Sequence, residues 1–265
     1  MVEGLQLISF SYFDDFKKGI ENSFSINQLQ EKNTKEITAE DFEHYLISSS
    51  LYSSKIEGNS LDVNSFFRNR GNTDTPKIKE VEEIENLVKA YRFATENALS
   101  EANFLYTHFL LSHTLLPKKE QGKYRTEQVG IRDSGTMKLI YLAVEPEYVS
   151  TEVKKLFVDI QILLKQDQSE AEVFYTASIL HLWLAKIHPF GDGNGRAARL
   201  LEKWFLASKL GQNAWSIPSE KYYWDNRSAY YQHIALGFNY YALHWERCLS
   251  FLEMLPKSVN QLPIV

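Results

Sequence analysis

Breaks between helices are scarce in this chain, and that scarcity constrains its fold more than any other feature. Only 12 glycines and 7 prolines interrupt 265 residues. Long segments therefore keep apolar residues at the three- and four-residue spacing of a helix that buries one face. The segments with this period cover about 38–57, 78–99, 100–116, a stretch that begins near 150, 171–187, 196–210 and about 225–255. The pattern predicts a mostly α fold.

Capping and turn signals place several of these boundaries. Thr38 precedes an acidic stretch in a capping-box-like arrangement, and Gly58 supplies the stop of the same helix because glycine tolerates the left-handed conformation. Ser100 is the expected N-cap of a further helix, which Pro117 ends. Residues 60–77 carry turn signals and are predicted to be a linker or loop.

One stretch changes from the helical to the strand period. Residues Gln128–Ile131 alternate, Asp133-Ser134-Gly135 is typical of a turn, and Met137–Val144 is rich in strand formers. This pattern predicts one small β-hairpin within residues 124–144.

Charge and cysteine content exclude several classes of protein. The chain has 29 basic and 34 acidic residues, a net charge of −5, whereas nucleic-acid-binding domains are usually basic, so no nucleic-acid partner is expected. Cys248 is the only cysteine, which excludes an internal disulfide and fits a reducing compartment. No apolar run approaches ~18 residues, so no membrane span is expected, and the N-terminus does not resemble a signal peptide. We expect a cytoplasmic protein.

The segment His188–Arg199 joins two predicted helices and is dense in groups that bind phosphate. Pro189 and three glycines end the first helix, and a second begins near Gly195. Free backbone N–H groups and the positive end of the helix dipole therefore face the turn. Arg196 and Arg199 are three residues apart and share one helix face. Two guanidinium groups above a nest of N–H groups predict a polyphosphate site.

Two other side chains of this segment indicate chemistry. Asp192 supplies a carboxylate that can hold Mg²⁺ together with phosphate oxygens, and His188 supplies the usual general base near neutral pH. The segment lacks the lysine of a P-loop and the glycine spacing of a dinucleotide fold. It also lacks the later ligands of an EF-hand loop. A solvated turn with two surface arginines is the structural alternative.

Residues 188–199 resemble the Fic (Fido) family motif, His-x-Phe-x-Asp/Glu-Gly-Asn-Gly-Arg-x-x-Arg, at every specified position. The resemblance covers about residues 100–245, which leaves an N-terminal helical region at 1–99 and a C-terminal helix end and tail at 246–265. It implies a Fic-fold helical bundle with a small β-hairpin flap and an N-terminal helical extension. Most members are nucleotidyltransferases that move AMP from ATP to a Ser, Thr or Tyr hydroxyl of a target protein. A protein adenylyltransferase that uses ATP and Mg²⁺ is therefore implied.

The resemblance also implies catalytic roles for the matched residues. His188 would take the proton of the attacking hydroxyl, and Asp192 would hold Mg²⁺ against the α- and β-phosphates. Asn194 and the amides of Gly193 and Gly195 would stabilise the charge that develops on the α-phosphate.

Binding roles are implied in the same way. Arg196 would bind the β-phosphate region and Arg199 the γ-phosphate, while Phe190 would anchor the loop in the core. Tyr230 falls where relatives place an aromatic residue near the adenosine. An Asn is often found eight residues later, where this chain has Phe238.

A second match lies in the stretch Ser53-Ser54-Lys55-Ile56-Glu57-Gly58. It resembles the inhibitory-helix motif of the family, Ser/Thr-x-x-x-Glu-Gly/Asn, and places that helix at about 38–58. Glu57 ends the helix, where the dipole disfavours a carboxylate by ~0.3–1 kcal/mol unless a cation meets it. The resemblance implies the class II arrangement, in which Glu57, within a motif that begins at Ser53, pairs with Arg199 and blocks the γ-phosphate. A solvent-facing glutamate is the alternative.

The other polar residues of the helices are interpreted as structural. No second ligand at a metal spacing accompanies the histidines in the apolar helical stretches, which are His108, His113, His181, His233 and His244. A solvated helix face is predicted for the glutamates Glu80, Glu82, Glu83 and Glu85.

Three functions stay open for the same site. The first is an adenylyltransferase held in check by Glu57. The second is an enzyme that removes AMP, with Glu57 activating a water, or that does both. The third is a non-catalytic, nucleotide-binding regulatory module. A target protein would dock on the flap at about 132–144 by main-chain pairing, and a homodimer is a further hypothesis.

Overall fold

The computed structural model of the chain describes residues 4–21, 38–72, 76–133 and 135–261. Along the described chain the helices are α1 (Phe13–Ile20), α2 (Ala39–Ile56), α3 (Val63–Asn69), α4 (Ile78–Glu96), α5 (Glu101–Leu111), α6 (Pro146–Lys165), α7 (Glu170–Ile187) and α8 (Asn194–Leu210). They are followed by α9 (Ser219–Asp225), α10 (Arg227–Ile234), α11 (Leu249–Leu252) and α12 (Met254–Ser258), with 3₁₀ turns at Gln212–Ser216, Trp245–Arg247 and Val259–Gln261. The mostly α prediction is confirmed.

The predicted hairpin is present as one small antiparallel sheet. Strand β1 (Gly130–Arg132) pairs with β2 (Leu139–Leu142), with an irregularity after Ile131. Ser134, in the predicted turn, lies outside the described residues. A short segment near Asn239 adds a parallel bridge to Leu142 on the far side of β2.

The capping signals mark the helix starts correctly. The Thr38 side chain accepts a hydrogen bond from the Asp41 N–H at the start of α2, and the Ser100 side chain accepts one from the Asn103 N–H at the start of α5. After α2 the chain turns through Gly58, whose φ is +110°. At that angle a side chain would be strained, so glycine suits this stop.

Two predicted boundaries near α3 and α5 are wrong. Residues 60–77 are not only a loop, because the Asp62 side chain caps α3 and Phe66 anchors it in the core with no exposed surface. The helix predicted through residue 116 ends at Leu111. Beyond it, the Gln121 side chain donates to the Leu116 carbonyl at 2.8 Å, which satisfies a backbone group without a longer helix.

The helical stretch predicted for about 225–255 is present only in part, because residues 235–244 are not helical. The chain bends at Gly237, where a Cβ would lie 2.2 Å from the carbonyl oxygen of Ala242. Past this bend, the Leu142 N–H donates to the Phe238 carbonyl and the Tyr240 N–H donates to the Leu142 carbonyl. The backbone of this segment therefore pairs with β2 and does not continue a helix.

Helices α7 and α8 form the centre of the core. The apolar faces predicted for them are buried, at Val173, Ala177, Leu180, Leu184, Ile187, Leu200, Leu201, Trp204 and Phe205. The N-terminal region packs against this centre through α2, which contacts α4, α8 and α9. Among the described residues, no helix has both the length and the apolarity that a membrane crossing requires.

Candidate active site

The turn between α7 and α8 begins with a residue in an uncommon conformation. His188 caps α7 with φ +52° and ψ +60°, in the left-handed region. Arg125 fixes this start, since its Nε donates to the His188 carbonyl at 2.8 Å and its backbone N–H donates to the Pro189 carbonyl at 2.9 Å. Its Nη2 also donates to the carbonyl of Val144. Arg125 thus joins the turn to the end of the flap.

A buried histidine supports the floor of the turn. The ring of His108 stacks on the ring of Phe190, with 3.5 Å between centroids, and its Nε2 lies 2.9 Å from the Asp192 carbonyl. Its Nδ1 accepts the Gly122 N–H, so Nε2 carries the hydrogen. Burial lowers the pKa of His108 to about 4, which keeps the ring neutral at pH 7. The residue is structural, as interpreted, but the sequence does not reveal its place below the loop.

The side chain of Asn194 closes the turn. Its Oδ1 accepts the Phe190 N–H and its Nδ2 donates to the Phe190 carbonyl, both at 2.9 Å. The N–H of Gly193 donates to Asp192 Oδ1 at 2.6 Å. These two groups, which the resemblance assigns to phosphate, are thus engaged within the loop in this structure. The N–H groups of the first turn of α8 lack intrahelical partners and remain the anion-binding groups of this helix start.

The imidazole ring of His188 is neutral, and one of its nitrogens can accept a proton. Its Nδ1 lies 3.3 Å from the Ala185 carbonyl, which only accepts, so Nδ1 carries the hydrogen and Nε2 keeps its lone pair. Burial lowers the pKa of His188 to about 4, against the opposing effect of the Ala185 bond. The imidazole is therefore unprotonated at pH 7 and able to accept a proton.

Asp192 stands at the open side of the turn, with 55% of its side chain exposed. In the described ranges, no three His, Cys, Asp or Glu side chains are grouped as a metal site. A single accessible carboxylate nonetheless fits Mg²⁺, which binds one or two carboxylates and completes its shell with phosphate oxygens and water. Asp192 would be the residue that holds it.

Arg199 lies fully buried below the helix start and is surrounded by polar partners. Its Nη2 donates to Glu57 Oε1 at 2.8 Å and to the Ser53 carbonyl at 2.9 Å. Its Nε donates to the Ser53 hydroxyl at 2.9 Å, and its Nη1 donates to the Tyr230 hydroxyl at 3.1 Å. Two of these partners, Glu57 and Ser53, come from the predicted inhibitory motif.

The carboxylate of Glu57 occupies the helix start itself. A Cβ on Gly195 would lie 2.2 Å from Glu57 Oε1, so the carboxylate sits directly above the glycine. Burial acts to raise the pKa of Glu57, but the charges of Arg199 and Arg196 outweigh it, and the pKa lies below its ordinary value. The carboxylate is therefore ionised at pH 7, and it lies at a helix start, where backbone N–H groups favour an anion.

The end of α2 is held where this contact requires it. The Ile56 carbonyl accepts hydrogen bonds from Arg227 Nε at 2.9 Å and from the Tyr231 hydroxyl at 3.0 Å. A cation at a helix C-terminus also interacts favourably with the dipole. These contacts fix the residue immediately before Glu57.

Arg196 meets an acid that the sequence did not single out. Its Nε and Nη2 donate to Glu83 Oε1 at 2.9 and 2.5 Å. The predicted solvated face is therefore wrong for Glu83, because α4 packs beside α8 and turns this side chain toward the motif. Glu80 is also engaged, since its carboxylate accepts hydrogen bonds from Ser60 and Lys77. Of this set, Glu82 is exposed.

Tyr230 lies behind Arg199 and is 2% exposed. Its hydroxyl contacts Arg199 and stands 3.0 Å from His181 Nε2, while His181 Nδ1 lies 2.7 Å from Glu202 Oε2. The structure thus places the hydroxyl of Tyr230 on Arg199, and the contact of Tyr230 with adenosine stays a prediction.

The hairpin stands beside the turn. The Tyr141 hydroxyl donates to the Lys186 carbonyl at 2.6 Å, which ties β2 to α7. Met137 and Ile140 on this hairpin are exposed. The pairing of a target segment with the hairpin stays a prediction.

Comparisons with known proteins agree with this architecture. The Fic/DOC family model matches residues 98–206, which include the whole turn. The protein adenylyltransferase fic-1 of Caenorhabditis elegans is 35% identical over 82 residues, 31% of this chain and 14% of that protein. Residues 98–206 therefore match a Fic/DOC domain, and the match spans about a seventh of the length of the C. elegans relative.

Solved structures show the same fold over nearly the whole chain. A Fic family protein from Desulfovibrio desulfuricans aligns with a TM-score of 0.72 at 22% identity, covering 98% of this chain and 75% of that one. A Fic domain containing signaling protein from Bacteroides thetaiotaomicron aligns at 0.62 and 16% identity, covering 95% and 94%. Fic-1 of C. elegans aligns at 0.59 and 22% identity, covering 94% and 68%. The predicted Fic-fold bundle with a small hairpin is confirmed.

Proposed function

We propose that this chain is a protein adenylyltransferase that Glu57 holds inactive. The observation that carries the proposal is the position of the Glu57 carboxylate, bonded to Arg199 and seated above Gly195 at the start of α8. The triphosphate of ATP would need the same N–H groups for its α-phosphate and the same guanidinium for its γ-phosphate. The carboxylate and the phosphate therefore compete for one site.

The other groups of the turn suit transfer of AMP. The target hydroxyl would attack the α-phosphorus, a new O–P bond would form, and the bond to the departing pyrophosphate would break. His188 Nε2 would receive the hydroxyl proton, since its lone pair is available. Asp192 would hold Mg²⁺, which would neutralise charge on the phosphates. Arg196 and Arg199 would bind the phosphates that leave.

The comparisons support the class of reaction. The C. elegans relative is named a protein adenylyltransferase, and its match includes no more than a seventh of that protein, so the activity is a proposal for this chain. The hydroxyl group that this chain modifies would belong to a protein docked on the hairpin.

The test compares the wild type with Glu57→Gly after incubation with ATP and Mg²⁺, by intact-mass spectrometry for an added AMP. We expect the wild type to be nearly silent and Glu57→Gly to gain at least about tenfold, because removing the competitor frees a charged hydrogen-bonding site. Adding His188→Ala to Glu57→Gly should abolish transfer and keep ATP binding in calorimetry.

Three outcomes separate the candidates. If Glu57→Gly neither binds ATP nor transfers AMP, the proposal is wrong. If it binds Mg·ATP but forms no product with any available protein, itself included, a non-catalytic binding module is favoured. Equal transfer of AMP by wild type and Glu57→Gly would show that Glu57 does not inhibit the enzyme, while the adenylyltransferase activity itself would stand.

Removal of AMP by the same site is a second candidate. A quarter of the Glu57 side chain, 26%, is exposed beside the turn, so water reaches this carboxylate. The substrate for a test is Glu57→Gly that has modified itself, incubated with excess wild type or with excess Glu57→Gln. Loss of AMP mass only with the wild type would establish removal, and equal retention with both would exclude it.

A further inference from the structure

The second arginine pair of the motif, Arg196 with Glu83, differs in geometry from the pair of Arg199 with Glu57. Both Arg196 Nε and Arg196 Nη2 donate to a single oxygen, Glu83 Oε1. The remaining nitrogen, Nη1, stands 4.0 Å from Asp192 Oδ1. Glu83 therefore binds the Nε–Nη2 edge of the guanidinium. The Nη1 group faces Asp192, the carboxylate that would hold the metal.

The Glu83 carboxylate is itself fixed. Its Oε2 accepts from Asn59 Nδ2 at 3.3 Å, and the same Nδ2 donates to the Glu80 carbonyl at 3.0 Å. The amide of Asn59 is oriented because its Oδ1 accepts the Leu61 N–H at 3.0 Å. Both oxygens of Glu83 therefore have donors, and only 14% of its side chain is exposed.

The position of Glu83 differs from that of an acid that competes with phosphate. Glu57 lies over Gly195 in the anion site, whereas Glu83 holds the Nε side of Arg196. Because a guanidinium is planar and rigid, fixing one edge also fixes the direction of the N–H groups on the remaining nitrogen. Phosphates held by Asp192 through Mg²⁺ would lie on that side, because Nη1 stands 4.0 Å from Asp192 Oδ1.

We propose that Glu83 is a positioning residue for nucleotide binding, one that aims Arg196 Nη1 at the phosphate and metal site. The inference rests on the proposed function, because it assumes that a nucleotide occupies the turn. Glu83 acts through Arg196 and touches no substrate. Its loss should therefore weaken binding of the β-phosphate and leave binding of the α-phosphate and base unchanged.

The test uses Glu57→Gly as the background, so that the site is accessible. Calorimetry with Mg·ATP and with AMP is compared for Glu57→Gly alone and with Glu83→Ala, Glu83→Gln or the exposed control Glu82→Ala. We expect Glu83→Ala to weaken Mg·ATP about tenfold and to change AMP affinity less than twofold. The control should change neither.

The Glu83→Gln variant is a more conservative change at the same position. In glutamine an NH2 group replaces one carboxylate oxygen, so when its single oxygen accepts both bonds from Arg196, its NH2 group faces the NH2 donor of Asn59. We expect it to weaken Mg·ATP by about threefold, between the background and Glu83→Ala. Initial rates of AMP transfer should show a raised KM for ATP with kcat nearly retained.

Each contrary result overturns the inference. Unchanged or tighter Mg·ATP binding in Glu83→Ala would mean that Glu83 is idle or competes with phosphate. Equal loss of ATP and AMP affinity would mean that it only supports the fold. If Glu57→Gly with intact Glu83 neither binds ATP nor transfers AMP, the proposed function fails first, and this inference with it. If Glu57→Gly is active and Glu83→Ala matches it, only the inference fails.

Discussion

Helices α2 and α8 are joined by two polar contacts that share a plan and differ in their surroundings. The outer contact comprises Ser53, Arg199 and Glu57, and the inner contact comprises Ser49, Lys203 and Glu220. In each, the cation of α8 bonds a serine hydroxyl of α2, at 2.9 Å for Arg199 and 2.7 Å for Lys203. Each cation also pairs with one glutamate, at 2.8 Å in the outer contact and 2.5 Å in the inner one.

The difference lies in what encloses the glutamate. Glu220 is 1% exposed and also accepts the Tyr91 hydroxyl at 2.7 Å. Glu57 is 26% exposed and faces the turn that would hold phosphate. The same pairing chemistry is thus sealed in the inner contact and open to solvent in the outer one. Under the proposed function, another anion would replace the exposed acid, so burial would separate a structural contact from a regulatory one.

The largest effect is expected from breaking the inner contact. Glu220→Ala leaves the buried ammonium of Lys203 without its acid, so it should lower the free energy of unfolding by about 3–5 kcal/mol in urea denaturation. The double variant Lys203→Met with Glu220→Gln removes both charges and keeps an acceptor for Tyr91, and it should recover most of that loss. A loss below about 1 kcal/mol for Glu220→Ala would show that the inner contact is not structural.

A smaller loss of stability is expected from the outer contact. Glu57→Gln should lower the free energy of unfolding by about 1 kcal/mol, because Arg199 keeps both Ser53 acceptors and Tyr230 and because water reaches the site. Saturating Mg·ATP should raise the melting temperature of Glu57→Gly and leave that of the wild type unchanged. A loss as large as that of Glu220→Ala would erase the distinction between the two contacts.

The two serines give a matched pair of small changes. Ser49→Ala and Ser53→Ala should each lower the free energy of unfolding by about 1 kcal/mol, since each removes one acceptor of a buried cation. In the Glu57→Gly background, only Ser53→Ala should weaken ATP binding, because Ser53 orients Arg199. Equal effects on ATP from both serines would contradict a local role for the outer contact.

Acid should remove the contribution of the Glu57 ion pair to stability. The pKa of Glu57 lies below its ordinary 4.5 in the folded chain, so its ion pair stabilises the fold above that pH and is lost as the pH falls through the folded-state pKa. The difference in unfolding free energy between wild type and Glu57→Gln, about 1 kcal/mol at pH 7, should therefore shrink as the pH falls below 4.5 through the lowered folded-state pKa. A difference that stays constant over the whole acid range in which the protein is folded would show that the charge of Glu57 contributes nothing.

Much of the fold follows from local pattern. The buried faces of α7 and α8, the caps Thr38 and Ser100, and the hairpin depend on period and on neighbouring residues, and the sequence predicts them. The break at Gly237 was missed because it arises from a close approach to Ala242 and from pairing with β2. Such contacts leave no local period to detect.

The candidate site divides in the same way. The sequence motif identifies His188, Asp192, Arg196 and Arg199. Helix spacing alone puts the two arginines on one face. No sequence pattern reveals the roles of His108 and Glu83, because a histidine in an apolar helix and a glutamate in a charged helix are both common. Their partners lie 84 and 113 residues away.

Local pattern predicts that two helices meet at a turn rich in anion-binding groups and that an acid ends an earlier helix, and the family resemblance implies that this acid, Glu57, pairs with Arg199. The packing of the helices adds that Glu57 lies over the start of α8 and that Glu83 lies along one edge of Arg196. Sequence alone does not reveal these positions, because helix period and caps depend on neighbours within a few residues. Ion pairs between helices depend instead on how α2, α4 and α8 pack.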